Sequence, residues 1–161
     1  MKYSQAIRPA VAIVTAAASL AAFAPAKATD IGEWDFLPGD SSCSIITRAP
    51  QGLLVMMTTK SGANGVMVVP VDDSKIQTKG DYPLKVTINA MDETDMTGDE
   101  GEFAGSKVLY LPIKALAIAQ GEADGFALRV KLNGAVLFDK DMHGSKDAFA
   151  AYVRCSKALT R

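Results

Sequence analysis

The dipeptide Asn133-Gly134 lies between Phe126–Leu132, where Leu128, Val130 and Leu132 alternate with Arg129 and Lys131, and Ala135–Lys140, which opens with four apolar residues. Asn-Gly favours the two-residue type I′ turn, whose twist matches that of paired strands, so the segment predicts a β-hairpin. In that register Leu132 opposes Ala135 and Val130 opposes Leu137, building one apolar face, while Arg129 and Lys131 fall on the other. A half-buried hairpin cannot stand alone in water and requires further strands or a helix to cover its apolar face.

Other segments supply them. Tyr82, Leu84, Val86 and Ile88 alternate with Pro83, Lys85, Thr87 and Asn89, a strand with one wet face, and Pro83 places its beginning at an edge or outside the ladder. Ile31–Phe36 alternates similarly and predicts one strand; Pro38-Gly39-Asp40 is a turn signal, and Ser42–Arg48 predicts the next strand. Gly52–Lys60 is apolar on both faces through Leu53, Leu54, Val55, Met56 and Met57, as a central strand is. Ser61–Gly65 makes a tight connection into the strand Val66–Val69, and Val108–Leu111 is a further strand. Pro112–Gln120 predicts a short helix with Gly121 just past its end.

The polar stretch Met91–Gly105 has little to bury and predicts an exposed loop. At the end of the chain, Ala148, Phe149, Tyr152, Cys155 and Leu159 recur at helical spacing, with Ser145 as the expected N-cap and Arg154, Lys157 and Arg161 toward the negative end. The expected fold is α+β: a curved antiparallel β-sheet, partial β-barrel or sandwich, with the C-terminal helix packed on it.

The beginning of the chain has the three parts of an export signal. Lys2 and Arg8 precede an apolar run, Ala10–Phe23, and Ala26-Lys27-Ala28 offers small residues at the positions a signal peptidase reads. Residues 1–28 are therefore expected to be a signal peptide, with cleavage after Ala26 as the alternative, and residues 29–161 one domain. The run is shorter than the ~20 apolar residues a spanning helix needs, so no membrane span is expected in the mature chain. Cleavage after Ala28 lowers 17 basic residues to 14 against 18 acidic ones, which argues against nucleic acid as partner. Export also gives the two cysteines, Cys43 and Cys155, an oxidising compartment, where a single bridge is expected between them. Cys155 lies on the apolar helix face, so the bridge would staple the helix across the early strands.

Gly32-Glu33-Trp34, Cys43, and the run Asp141–Phe149 leading to Cys155 resemble small exported proteins of Gram-negative bacteria, among them the invasion-associated locus B-like group. The resemblance implies a periplasmic or surface-associated β-rich domain with no known reaction, and it supplies no catalytic residues.

Candidate chemistry is sparse. His143 is the one histidine, near Asp139, Asp141 and Asp147, but no Gly-x-Ser-x-Gly elbow holds a serine against it. One histidine and two bridged cysteines do not make a closed zinc site. Asp92, Glu93, Asp95, Asp99, Glu100 and Glu102 supply clustered oxygens of the kind calcium prefers, yet the sixth position of an EF-hand frame started at Asp95 is Glu100 where glycine is required. A two-carboxylate glycosidase would assemble its pair from distant positions, and nothing selects one. Met56, Met57 and Met67 fall inside strand patterns, where packing explains them better than copper ligation. No cofactor motif occurs.

The expected function is thus that of a periplasmic or secreted non-enzymatic domain binding a protein or cell-envelope component. The acidic segment with Asp92, Glu93, Asp95, Asp99, Glu100 and Glu102 is its candidate binding loop, because loops on rigid scaffolds carry recognition. The alternatives are a periplasmic hydrolase inhibitor and a small hydrolase with an unrecognised site.

Overall fold

The computed structural model describes residues 28–76, 80–121 and 124–161. The signal-peptide reading of the N-terminus lies outside the described residues.

Ten strands form one antiparallel sheet in the order β1-β2-β3-β4-β5-β8-β7-β6-β9-β10. They are β1 (Thr29–Ile31), β2 (Trp34–Pro38), β3 (Ser42–Ala49), β4 (Gly52–Thr59), β5 (Asn64–Pro70), β6 (Tyr82–Ile88), β7 (Thr94–Phe103), β8 (Ser106–Leu111), β9 (Ala127–Leu132) and β10 (Ala135–Asp141). Helices α1 (Ala115–Gly121) and α2 (Lys146–Leu159) pack on the concave side. The fold is the α+β arrangement expected: a curved antiparallel sheet with the C-terminal helix against it.

Strand β7 makes the curve. Its first half, from Thr94, pairs with β6, and its second half, from Asp99, pairs with β8, so one strand belongs to two wings of the sheet. The curl brings β10 back against β3, β4 and β5. There Lys140 Nζ donates to Thr47 Oγ1 at 3.0 Å and to the Arg48 carbonyl at 2.9 Å. Gly52, first residue of β4, sits where the wings meet: a Cβ on it would lie 2.6 Å from the Val69 carbonyl oxygen and 2.9 Å from that of Leu137. Backbone on both sides leaves nothing to yield by rotating. Gly52→Ala is expected to lower stability by about 1–3 kcal/mol through overpacking. Thermal melting checks this, and an unchanged midpoint would show that the wings do not meet so closely.

The core holds Trp34, Ile45, Leu54, Met56, Leu84, Leu109, Phe126, Phe138, Phe149 and Tyr152, each with 2 % exposure or less. Helix α2 lays Ala148, Phe149 and Tyr152 on the sheet because these residues recur at i, i+1 and i+4 on its apolar side. Phe149 meets the Trp34 ring edge-to-face at 5.2 Å and stacks with Phe126 at 5.9 Å. The expected bridge is present: Cys43 on β3 and Cys155 on α2 are joined, their Cα atoms 6.0 Å apart.

Four local readings are corrected. Ile31–Phe36 is not one strand; the chain turns at Gly32-Glu33, and β1 folds back on β2 with Ile31 opposite Trp34. The β9–β10 hairpin has its Asn133-Gly134 turn, with φ of 49° and 81°, and Leu132 opposite Ala135. A register shift between Val136 and Phe138 then places Phe138, not Leu137, opposite Val130, and both Leu137 and Phe138 are buried. Helix α1 starts at Ala115 and includes Gly121, because the Ile113 N–H bonds the Leu111 carbonyl at 2.7 Å and a turn intervenes.

The fourth is Met91–Gly105, which is a loop only at its ends, residues 91–93 and the Ala104-Gly105 turn. Thr94–Phe103 is the longest strand of the sheet, flanked on both sides. It shows little apolar alternation because neighbours fill the space where its side chains would stand. Leu84 occupies the side-chain position of Gly98, and the Tyr110 ring covers Gly101.

Candidate functional site

The six carboxylates of the expected loop are spread along this strand and its approach. Asp92 and Glu93 precede β7, while Asp95, Asp99, Glu100 and Glu102 lie on it. From Asp95 to Glu102 the chain advances roughly 23 Å at strand rise, so the acids do not converge on one point. Among the described residues no group of three His, Cys, Asp or Glu side chains is placed to hold a metal ion.

Several of these acids are instead tied into cross-strand pairs. Glu93 contacts Lys131 at 2.7 Å and Lys85 at 3.4 Å, and Asp95 meets Lys85 at 3.0 Å. On the same wing Arg129 pairs with Asp139 at 2.7 Å. The hydrogen bond from Lys131 holds the Glu93 carboxyl below its ordinary range, and Asp95 raises Lys85. Glu100 accepts from the Tyr82 hydroxyl at 3.2 Å. The outer face of the β6–β9–β10 wing is thus a charged, largely self-neutralised surface exposed to solvent.

His143 is exposed, with Nε2 3.7 Å from Asp141 Oδ1. The nearby Ser145 hydroxyl is engaged elsewhere. It accepts from Trp34 Nε1–H at 2.6 Å and donates to the Met142 carbonyl at 2.6 Å. It therefore does not cap α2 as expected, since no side-chain cap bond forms. The methionines are also divided: Met56 and Met142 lie in the main core, and Met57 and Met67 on the opposite side of the sheet.

That opposite side carries apolar residues of its own. On the convex side of β3, β4, β5, β8 and β7, Val55, Met67, Val69 and Val108, each at most 8 % exposed, form a second apolar cluster. Ile46, Leu53, Met57, Phe103 and Tyr110 pack around it, each half-buried. The register aligns Ile46, Val55, Met67 and Tyr110 in one row across four strands. Both helices contribute to the main core instead, so neither forms part of this face.

The two wings therefore differ in kind. One presents paired charges, the other aliphatic, methionine and aromatic side chains, with the Tyr110 ring lying over Gly101. An antiparallel sheet normally keeps one face polar. The unalternating run Leu53–Met57 carries a signal for this surface, although the pattern by itself predicts no more than a central strand. What the pattern could not show is that the helices cover one of the two apolar faces and leave the other.

No family model matches this chain. No curated protein and no solved structure matches it either. The apolar convex face stands on its own chemistry.

Proposed function

We propose that this chain is an exported, non-enzymatic binding domain whose convex face docks an amphipathic helix of a protein partner through the half-buried Ile46, Leu53, Met57, Phe103 and Tyr110, which surround the fully buried Val55 and Met67. The observation that carries the reading is the second apolar cluster on the outside of the sheet. Its composition is that of the centre of a protein interface: aliphatic, aromatic and methionine side chains, with charge at the rim in the Arg48–Asp35 ion pair, 3.3 Å, and in Asp99 opposite Tyr110. A polysaccharide would need a dense set of polar partners that this surface lacks.

Size selects the kind of partner. Four strand spacings cover about 19 Å, and the run from Leu53 to Met57 about 13 Å, a few hundred Å² in all. A stable face-to-face dimer buries about 800 Å² on each side, whereas one helix is about 10–12 Å wide. A single helix suits this footprint better than a second copy. The disulfide and the expected export signal fit a periplasmic or secreted setting, as does the resemblance to the invasion-associated locus B-like group.

The test is site-specific photo-crosslinking in the native envelope, with the probe at Met57 on the convex face or at Lys131 on the charged wing. The expected result is a discrete adduct from position 57 alone, mapped to an amphipathic helix of the captured protein. Leu53→Lys should abolish it while the melting temperature stays within a few degrees. Adducts from position 131 only, or adducts from 57 that are dimers of this chain, would overturn the reading.

A further inference from the structure

The two ends of the disulfide differ in access. Cys43 is fully buried at the start of β3, opposite Thr58 of β4. Thr58 shares a buried hydrogen bond of 2.7 Å with the Tyr152 hydroxyl, so polar and apolar groups of β4 and α2 close over that side. Cys155, in the last turns of α2, is only half-buried. It lines an open cleft of about 270 Å³ together with Gly39, Asp40, Lys60, Ala158 and Leu159. The turn between β2 and β3 forms one wall of this cleft and the end of the helix the other.

Thiol–disulfide exchange requires a thiolate to reach one sulfur of the pair, and access decides which sulfur is attacked. We propose that Cys155 is the exchange site of this bridge, open to a small thiol such as glutathione, and that Cys43 is the leaving and resolving sulfur. The incoming thiolate forms a new S–S bond to Cys155 Sγ as the Cys43–Cys155 bond breaks. The electron pair goes to Cys43 Sγ, which takes up the proton the small thiol released on ionising. The products are a mixed disulfide at Cys155 and a free thiol at Cys43, with the small thiol as the sole co-reactant.

The reverse reaction closes the bridge. Phe149 and Tyr152 are fully buried and Ala148 lies with them, so the helix stays docked by its apolar face while Cys155 carries the adduct. Cys43 is then held close to the mixed disulfide and displaces the small thiol. A burdened Cys43 has no such route, because an adduct there would occupy the space into which α2 packs. Lys60 at the cleft favours an anionic thiolate, and Asp40 opposes it, so the geometry rather than net charge sets the direction.

The experiment uses the full mature protein with its bridge intact. It is exposed to reduced glutathione under native conditions, quenched with acid, alkylated and mapped by peptide mass spectrometry. Glutathione on Cys155 with alkylated Cys43 is expected in at least roughly tenfold excess over the opposite isomer. Equal amounts of the two isomers, glutathione mainly on Cys43, or no adduct before global unfolding would each overturn the proposal. A second measurement compares single variants. The free Cys155 thiol of Cys43→Ser should react with an aromatic disulfide reagent at least roughly tenfold faster than the free Cys43 thiol of Cys155→Ser. Equal rates in folded protein would contradict it, and the mapping on wild type does not depend on how well either variant folds.

Discussion

Replacing Cys43 and Cys155 together by serine should lower the free energy of unfolding by about 4–5 kcal/mol. The bridge spans 112 residues, and on the chain-entropy model a loop of that length restricts the unfolded chain by about this amount. For a domain of this size the melting midpoint should fall by on the order of 15 °C. Melting with and without reductant should reproduce the difference in the unsubstituted protein. A loss below about 1 kcal/mol would mean that the unfolded chain keeps the helix near β3 without the bridge. The far ends of the domain would then be held by the apolar face of α2 alone.

The second large effect is expected at Trp34. This ring is 1 % exposed, meets Phe149 at 5.2 Å, and donates to Ser145 Oγ at 2.6 Å. Trp34→Ala removes the largest fully buried side chain and leaves a cavity between β2 and α2, at a cost of about 3–5 kcal/mol. Trp34→Phe keeps most of the packing and removes the donor, so a smaller loss of about 1–2 kcal/mol is expected. Ser145→Ala should cost a similar amount, because it leaves the indole N–H and the Met142 carbonyl without their partner. Denaturant unfolding of both single variants and the double variant then gives the coupling. Strict additivity would show that the indole–hydroxyl bond contributes nothing beyond packing.

The Trp34–Ser145 contact illustrates what a sequence pattern conveys and what it does not. Trp34 belongs to an alternating run, and Ser145 stands where a helix cap is expected. Their separation of 111 residues gave no hint that they bond each other. Ser145 still stands at the helix start, but its hydroxyl is turned toward the indole, since a buried N–H without an acceptor is more costly than an uncapped helix end in water. The bulge in β10 is similar. Alternation predicts the pairing next to the Asn133-Gly134 turn, and one extra residue farther along shifts the rest.

The acidic segment hides its strand for a related reason. Its charges and glycines look like a solvated loop, because a strand is recognised by the residues it buries. β7 buries few of its own. Leu84 and Tyr110, donated by β6 and β8, fill the space over Gly98 and Gly101, so the evidence for this strand is written in its neighbours. With its carboxylates spread along a strand and not gathered in one loop, the acidic segment forms no single site, whereas on the convex apolar side Ile46, Val55, Met67 and Tyr110 come together from four strands. Each belonged to a legible strand, but their common face depends on register.

By itself, then, the sequence determined the local elements with strong period or turn chemistry: the β9–β10 hairpin, strands β3 to β6 and β8, helix α2, and the Cys43–Cys155 pair. Hydrogen-bonding geometry and side-chain periodicity act within a few residues, and two cysteines have one intramolecular pairing, so these are short-range or combinatorially simple. The tertiary structure alone decided the strand order, the passage of β7 between two wings, the engagement of Ser145 by Trp34, and which apolar face the helices cover. Those outcomes depend on contacts between residues dozens of positions apart, where packing and the satisfaction of buried polar groups outweigh any local preference.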